Sequence, residues 1–491
     1  MSKVDVVLIK PNDKKNIYGT LPGEYTAIDP PWWLAVMGGC LRDQGLNVKV
    51  IDADGENQDP QKTAAIVAKW KPCLVGVLLL GNNLTASTWK MNGASLLAKA
   101  IKMISPDLPI FMWGQHVAAL PERTLREESC DFVIKGEGFH AIYELTKAIQ
   151  EQKNIPELKI KGLWYKWNEE ISGSNEVDLI EDLNTLPVDG WDLLGNQEYS
   201  NHVSFAFEDL NNRKRYGSIC TSLGCPFQCT YCAISHFSGR TVRYKSPESV
   251  VKEIEWWVKN RNVFYLRIMD ENFTLNREHA MEVCSAIIKK KYDISMWAYA
   301  RVDTVDKELL EKMYEAGIHW VSYGFESGSK KVQGVIQKDQ YSTERMKEIV
   351  NMTHEVGMNI VANFMFGLPE DDKETMNETL QLAKDLNCEY PNMYCTMAYP
   401  GSLLYEESIR KGVQLPDSWL GYTQLGYECH PLPTKYLSAK EVLEFRDYAF
   451  NAFFKDNKNY FELLRNKFGQ EPVNYIKKMT KNKLKRKLLG D

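Results

Sequence analysis

Three cysteines stand in the run Gly224-Cys225-Pro226-Phe227-Gln228-Cys229-Thr230-Tyr231-Cys232, a C-x3-C-x2-C. Thiolates at that spacing on a tight loop can converge on one soft metal centre, either zinc or an iron–sulfur cluster. The count of ligands separates the uses. A closed structural zinc site or an electron-transfer cluster wants four protein ligands, whereas three leave one iron open to bind something else. Cys220 as a fourth ligand and His236 as the completion of a zinc site remain open alternatives. The other cysteines are scattered singly among apolar residues and read as small buried hydrophobes.

The cysteine run follows a predicted strand, Gly217–Thr221, the first of six. Phe264–Met269, Ser295–Ala300, Trp320–Phe325, Ile360–Phe366 and Met393–Ala398 follow, and between them lie stretches of helical spacing such as Pro247–Lys259, Arg277–Lys290, Ser342–Glu355 and Lys373–Leu386. This alternation predicts a curved parallel sheet or partial (β/α)6 barrel of the TIM type, with functional groups at the strand ends.

The first 150 residues alternate in the same way. Val4–Ile9, Val48–Ile51, Leu74–Leu80, Ile110–Trp113 and Phe132–Ile134 are continuous apolar runs. Strands apolar on both faces predict a doubly wound, five-stranded parallel sheet, Rossmann-like, whose ligands lie at the carboxyl ends. Those ends are rich in Gly, Asn, Ser, Thr and Gln. No G-x-G-x-x-G opens a helix after the first strand, so the usual dinucleotide fingerprint is missing. Between about 151 and 210 the pattern breaks. There Gly162-Leu-Trp-Tyr-Lys-Trp reads as a hairpin strand and Ser172-Gly173-Ser174-Asn175 as its turn, within a connector. The expected organisation is therefore a sheet domain over 1–150, a hairpin and linker over 151–210, a partial barrel over 211–410 and a small helical region over 411–491.

The chain has 491 residues, 44% of them hydrophobic and 25% charged, and a net charge of −5. This is the composition of a folded multidomain protein, and no broad basic excess supports nucleic-acid binding. A basic tail, Lys477 to Lys487, reads as a solvated helix end. With no signal peptide and no apolar run of about 18 residues, the expectation is a cytoplasmic protein without an integral membrane segment.

The cysteine loop, with aromatic Tyr231 before its last cysteine, resembles that of the radical S-adenosylmethionine (SAM) superfamily. Further motifs fall at successive strand ends in matching order: Arg267-Ile-Met-Asp270-Glu271, Tyr299-Ala300-Arg301, Gly324-Phe325-Glu326-Ser327-Gly328, Gly367-Leu368-Pro369 and Tyr399-Pro400-Gly401. The resemblance implies that Cys225, Cys229 and Cys232 hold a [4Fe–4S] cluster whose open iron is chelated by SAM. It also places Tyr231 near the adenine, Asp270 and Glu271 near the methionine amino group, Arg301 at the carboxylate, and Glu326 and Ser327 near the ribose. With Lys10-Pro11, Pro30-Pro31-Trp32-Trp33-Leu34-Ala35, Asp52-Ala53-Asp54, and Leu120-Pro121-Glu122-Arg123 leading to Gly136-Glu137-Gly138, the N-terminal domain is similar to the cobalamin-binding domain of the cobalamin (B12)-dependent radical SAM enzymes. No D-x-H-x-x-G follows its first strand, which in that branch fits a cofactor held without a protein histidine. The implied cobalamin contacts are Asn12, Trp33, Asn82, Thr85, Ser87, Gly114, Gln115, His116, Gly136, Glu137 and Gly138.

The activity implied is methyl transfer to an unactivated carbon. A 5′-deoxyadenosyl radical abstracts the substrate hydrogen and methylcobalamin delivers the methyl group. A cyclase or rearrangement enzyme using the same cofactors is the alternative, and a non-enzymatic Fe–S/corrinoid carrier a distant one. Expected partners are a small-molecule substrate, sugar-like, peptide or phosphorylated, and a reductant such as flavodoxin or ferredoxin. Tyr394, Tyr399, Tyr405, Trp419, Tyr422, Tyr427 and His430 are candidates to line the substrate pocket or to pack the barrel against the C-terminal helices.

Overall fold

The structure is a computed structural model and describes residues 3–21, 23–81, 84–338, 340–455 and 457–491. Its first sheet has seven strands in the order β2-β1-β3-β4-β5-β6-β7. Val6–Lys10 (β1), Val48–Asp52 (β2), Leu74–Leu78 (β3), Ile110–Trp113 (β4) and Phe132–Ile134 (β5) run parallel. Every residue of β1, β3, β4 and β5 is buried, because helices cover both faces. Two further strands, Leu163–Trp167 (β6) and Glu170–Gly173 (β7), form a hairpin that pairs antiparallel with β5. The expected connector is thus part of the first sheet, and it covers what would be an open edge. Its turn lies at Asn168-Glu169, both at positive φ as a two-residue turn of the primed type requires, and not at Ser172–Asn175.

The second sheet is all parallel, in the order β15-β14-β13-β12-β11-β8. Its strands are Tyr216–Ile219 (β8), Tyr265–Ile268 (β11), Ser295–Ala300 (β12), Ile318–Glu326 (β13), Asn359–Phe366 (β14) and Tyr390–Cys395 (β15). The sequential order with helices between is the expected (β/α)6 partial barrel. A two-stranded ribbon, Ser222–Leu223 (β9) against Arg243–Tyr244 (β10), pinches off residues 224–242, the segment that carries the cysteines. The helices Ala439–Phe454, Lys458–Phe468 and Gln470–Met479 complete the C-terminal region. The basic tail is not simply a solvated end. Arg486 is fully buried and donates to the carbonyls of Gln424 and Gly426, while Lys483, Lys478 and Lys487 pair with Asp491, Glu24 and Glu428. Among the described residues no helix is long and apolar enough to cross a membrane.

Candidate active site

The cysteine loop leaves the carboxyl end of β8 and is closed at its base by the ribbon. Gly224 sits at a φ of 100°, and a Cβ there would lie 2.5 Å from the Thr241 carbonyl oxygen, so only glycine lets the two arms come this close. Cys225, Cys229 and Cys232 are half-buried on this loop. Burial pushes the Cys225 thiol up to about 12 and also raises that of Cys232, with the neighbouring thiols adding to both shifts. Among the described residues no three His, Cys, Asp or Glu side chains close around a single metal ion. The donor set fits an iron–sulfur cluster, in which each thiolate takes a separate iron and binding displaces the thiol protons. Cys220 lies just beyond β8, fully buried, with its Sγ 3.2 Å from the Ser222 carbonyl oxygen.

Around this loop the strand ends bring the expected polar residues together. Tyr231 donates to Glu326 Oε1 at 2.9 Å, and Lys338 Nζ lies 2.9 Å from the same oxygen. Burial opposes the Lys338 charge, but Glu326, Tyr341 and Cys229 together outweigh it and raise the lysine's pKa. Glu326 itself sits at a φ of 63°, at a register shift between β13 and β14, a strained backbone of the kind that sets side-chain direction at functional sites. Lys338 carried no sequence signal, because its role depends on a fold that returns it to the end of β13. Arg301 is held bidentate by Asp303 at 2.9 and 2.8 Å, covers the Phe227 ring at 3.7 Å and reaches to 3.8 Å from Cys229 Sγ. Both Glu271 carboxylate oxygens are buried without a hydrogen-bond partner. Burial pushes this carboxyl up to about 8; nearby Asp270 and Glu137 add to the shift, and the Glu271 and Gly224 amides only partly offset it. Such a group is ready to meet a cation.

Two expected residues have other work in this structure. The Asp270 carboxylate accepts from the Thr221 amide at 2.7 Å, the Thr221 hydroxyl at 2.5 Å and the Ser222 hydroxyl at 2.6 Å, so it holds the start of the cysteine loop. Ser327 is fully buried, bonds with the Thr379 hydroxyl and accepts from the Ser329 amide.

The expected cobalamin contacts divide more sharply. Thr85 Oγ1 lies 3.4 Å from Cys232 Sγ, so the loop after β3 reaches the cysteine loop. The Ser87 hydroxyl and both polar atoms of Gln115 are buried with no partner. Orphaned polar atoms at strand ends are what a bound polar group would satisfy, so these residues fit a cofactor with many hydrogen-bonding amides. His116 is 1% exposed, bonds through Nδ1 to the Thr88 hydroxyl at 2.9 Å, and meets the Trp419 ring edge-on at 4.5 Å.

The other expected residues also have partners within the fold. Trp33 packs in an aromatic cluster with Trp32, Trp113, Phe139 and Phe237. Asn12 binds Asn57 and the Gln58 carbonyl. Gly136 and Gly114 adopt positive φ where the chain passes close to the backbone of Asp178 and Leu79, and Gly138 precedes the helix Phe139–Gln150. The Glu137 carboxylate is fully buried and is taken by Arg243, at 2.8 Å to each oxygen, and by the Ile180 amide. It latches the first sheet to the base of the cysteine loop. Asn82 lies outside the described residues. Sequence reasoning also missed a buried charge network at the ends of β1 and β2, where Lys10 and Lys90 flank Asp54 at 3.3 and 3.1 Å.

Of the aromatic residues after the barrel, Tyr399 accepts a hydrogen bond from Trp89 at 2.8 Å, and Trp419 lies between His116 and the Arg123 guanidinium. They pack the first sheet against the C-terminal part.

The buried His116 carries a pH prediction. Burial, with the Arg123 charge adding to it, pushes its pKa down to about 3, so the unfolded chain takes up a proton near the ordinary value while the folded chain does not. Stability present above about pH 6.5 is then lost as pH falls toward 3. Urea unfolding across this window is expected to show a shallower loss in His116→Gln than in the parent chain; equal slopes contradict it.

The radical SAM superfamily signature matches residues 219–383 and the B12 binding domain signature residues 23–146. An uncharacterized methyltransferase of Pyrococcus horikoshii is 31% identical over 399 residues, spanning 81% of this chain and 82% of its own. The anaerobic magnesium-protoporphyrin IX monomethyl ester cyclase of Cereibacter sphaeroides is 27% identical, over 89% of this chain and 68% of its own. Among solved structures, the radical S-adenosylmethionine methyltransferase TsrM of Kitasatospora setae, with cobalamin and a [4Fe–4S] cluster bound, superposes with a TM-score of 0.70. It covers 93% of this chain and 90% of its own at 17% identity, a likeness of fold.

Proposed function

The chain belongs to the cobalamin-dependent radical SAM enzymes, with a [4Fe–4S] cluster, SAM and cobalamin as cofactors, and on that premise we propose that it methylates an unactivated carbon of a small molecule. One observation carries the reading beyond the family. Thr85, on the loop at the end of β3, touches Cys232, so the strand ends of the two sheets border one shared space. Methyl transfer from cobalt to a substrate carbon needs that adjacency, since the reacting atoms must be held within a few ångströms of one another. When bound, the cofactors supply a radical that abstracts hydrogen and a methyl group to replace it.

The chain's own residues hold and shield these groups. Cys225, Cys229 and Cys232 ligate the cluster. Glu271 receives the SAM amino group, Arg301, already fixed by Asp303, pairs with the carboxylate, and Tyr231 and Glu326 contact the nucleoside. Asp270 and Ser327 act by holding the loops. Ser87 and Gln115 bind the corrin amides, with Thr85, Gly114 and His116 beside them. The buried rings of Phe273 and Phe325 exclude water and stray hydrogen donors from the reacting centre. A small iron–sulfur or flavin protein supplies the electron.

Glu271→Gln is expected to weaken SAM binding about 10- to 100-fold in calorimetric titration, as loss of one charge-assisted hydrogen bond of about 1.5–3 kcal/mol implies. Unchanged affinity would remove Glu271 from the site. The cyclase relative, matching most of this chain, favours a second reading, cyclisation or rearrangement without methyl transfer. Anaerobic incubation with methyl-deuterated SAM and cobalamin separates the two. Deuterated methyl recovered on the corrinoid supports the methyltransferase, and its absence beside 5′-deoxyadenosine supports the second.

A further inference from the structure

The groups that touch the three sulfurs come from three directions. From the cysteine-bearing segment itself, the Phe227 and Ile234 amides face Cys225 and Cys232, and from the end of β12 in the second sheet the Arg301 guanidinium lies 3.8 Å from Cys229. From the first sheet comes Thr85, whose hydroxyl lies 3.4 Å from Cys232 Sγ, within hydrogen-bonding range for sulfur. We propose that Thr85 donates a hydrogen bond to the cluster-ligating sulfur of Cys232 and thereby couples the reduction potential of the cluster to the occupancy of the cobalamin loop. The proposal rests on Cys232 as a cluster ligand.

The physical argument has two parts. A donor to a thiolate ligand offsets the extra negative charge of the reduced cluster, so its presence raises the potential and its loss lowers it. Thr85 also shares a short turn with residues tied to both sheets. Ser87, two residues on, has a buried hydroxyl without a partner; Thr88 is tied to His116, and Trp89 to Tyr399. A molecule seated on Ser87 moves the same turn that carries Thr85, because the turn is held downstream and meets the sulfur upstream. The electron would then enter the cluster at a potential set partly by whether cobalamin is in place, which limits SAM cleavage in an enzyme unable to complete the reaction.

The test is an EPR-monitored potentiometric titration of the reconstituted protein, with and without cobalamin, for wild type, Thr85→Val and Thr85→Ser. Thr85→Val is expected to shift the potential to a more negative value and to erase the difference between cobalamin-loaded and cobalamin-free protein. Thr85→Ser, which keeps the hydroxyl, is expected to preserve both. A valine variant that titrates with wild type, a serine variant that shifts as far as valine, or a wild-type potential indifferent to cobalamin overturns the proposal. Cys232→Ala tells these failures from failure of the underlying assignment, since a variant with full iron and sulfide content would refute Cys232 as a ligand.

Discussion

Replacing Cys225, Cys229 and Cys232 together with alanine is expected to abolish iron–sulfur absorbance and 5′-deoxyadenosine formation while leaving the far-ultraviolet circular dichroism unchanged. The three thiols are half-buried on a loop closed by its own ribbon, and Cys225 and Cys232 meet the main hydrophobic core only at its edge. Loss of the cluster removes the electron donor to SAM outright, so a small residual rate is not expected. A variant that still forms 5′-deoxyadenosine, or a collapsed spectrum, would contradict the separation of chemistry from fold that the loop implies.

The second large effect lies away from the chemistry. Arg243→Ala is expected to destabilise the protein by about 3–5 kcal/mol in chemical denaturation, because it leaves the Glu137 carboxylate buried without its charge partner. Arg243 also donates to the Ile180 and Ser238 carbonyls, which would lose a donor at the same time. Since this arginine is on the ribbon that closes the cysteine loop, the surviving folded protein is further expected to incorporate iron less completely. Glu137→Gln with Arg243→Ala should be less damaging than the sum of the single changes, as expected for partners in one buried pair. Strict additivity would show that the two residues stabilise the fold independently.

These two predictions mark the border between what the sequence disclosed and what required the fold. The strands were legible because a parallel strand covered on both faces is a continuous apolar run, as β3 and β4 are. The cysteine loop was legible because its ligands are close in sequence and follow a strand. The hairpin β6–β7 is legible as a hairpin, but its turn and its place in the first sheet are not. Its Ser-Gly-Ser-Asn run resembles a turn more than Asn168-Glu169 does, and its pairing with β5 is a tertiary fact.

The polar residues at strand ends show the same limit. Glu137 and Glu271 both follow a strand and look equally available in sequence. One is neutralised by Arg243, 106 residues away, while the other has no hydrogen-bond partner. Asp270 is claimed by Thr221, 49 residues earlier, and Trp33 by Phe237 of the cysteine-bearing segment. Which strand-end group faces a ligand and which holds the fold is decided by these long-range partners, and local spacing carries no record of them.

The most direct test of the central claim is the ratio of two products. The reconstituted, reduced holoenzyme would be supplied with SAM and a fractionated metabolite extract, and S-adenosylhomocysteine and 5′-deoxyadenosine would be quantified together in every fraction that stimulates turnover. A radical methyltransferase uses one SAM as methyl donor and a second as radical source, so the account predicts that the two products rise together in equal amounts. Stimulation of 5′-deoxyadenosine without S-adenosylhomocysteine would contradict it and leave a cobalamin-dependent radical enzyme that transfers no methyl group.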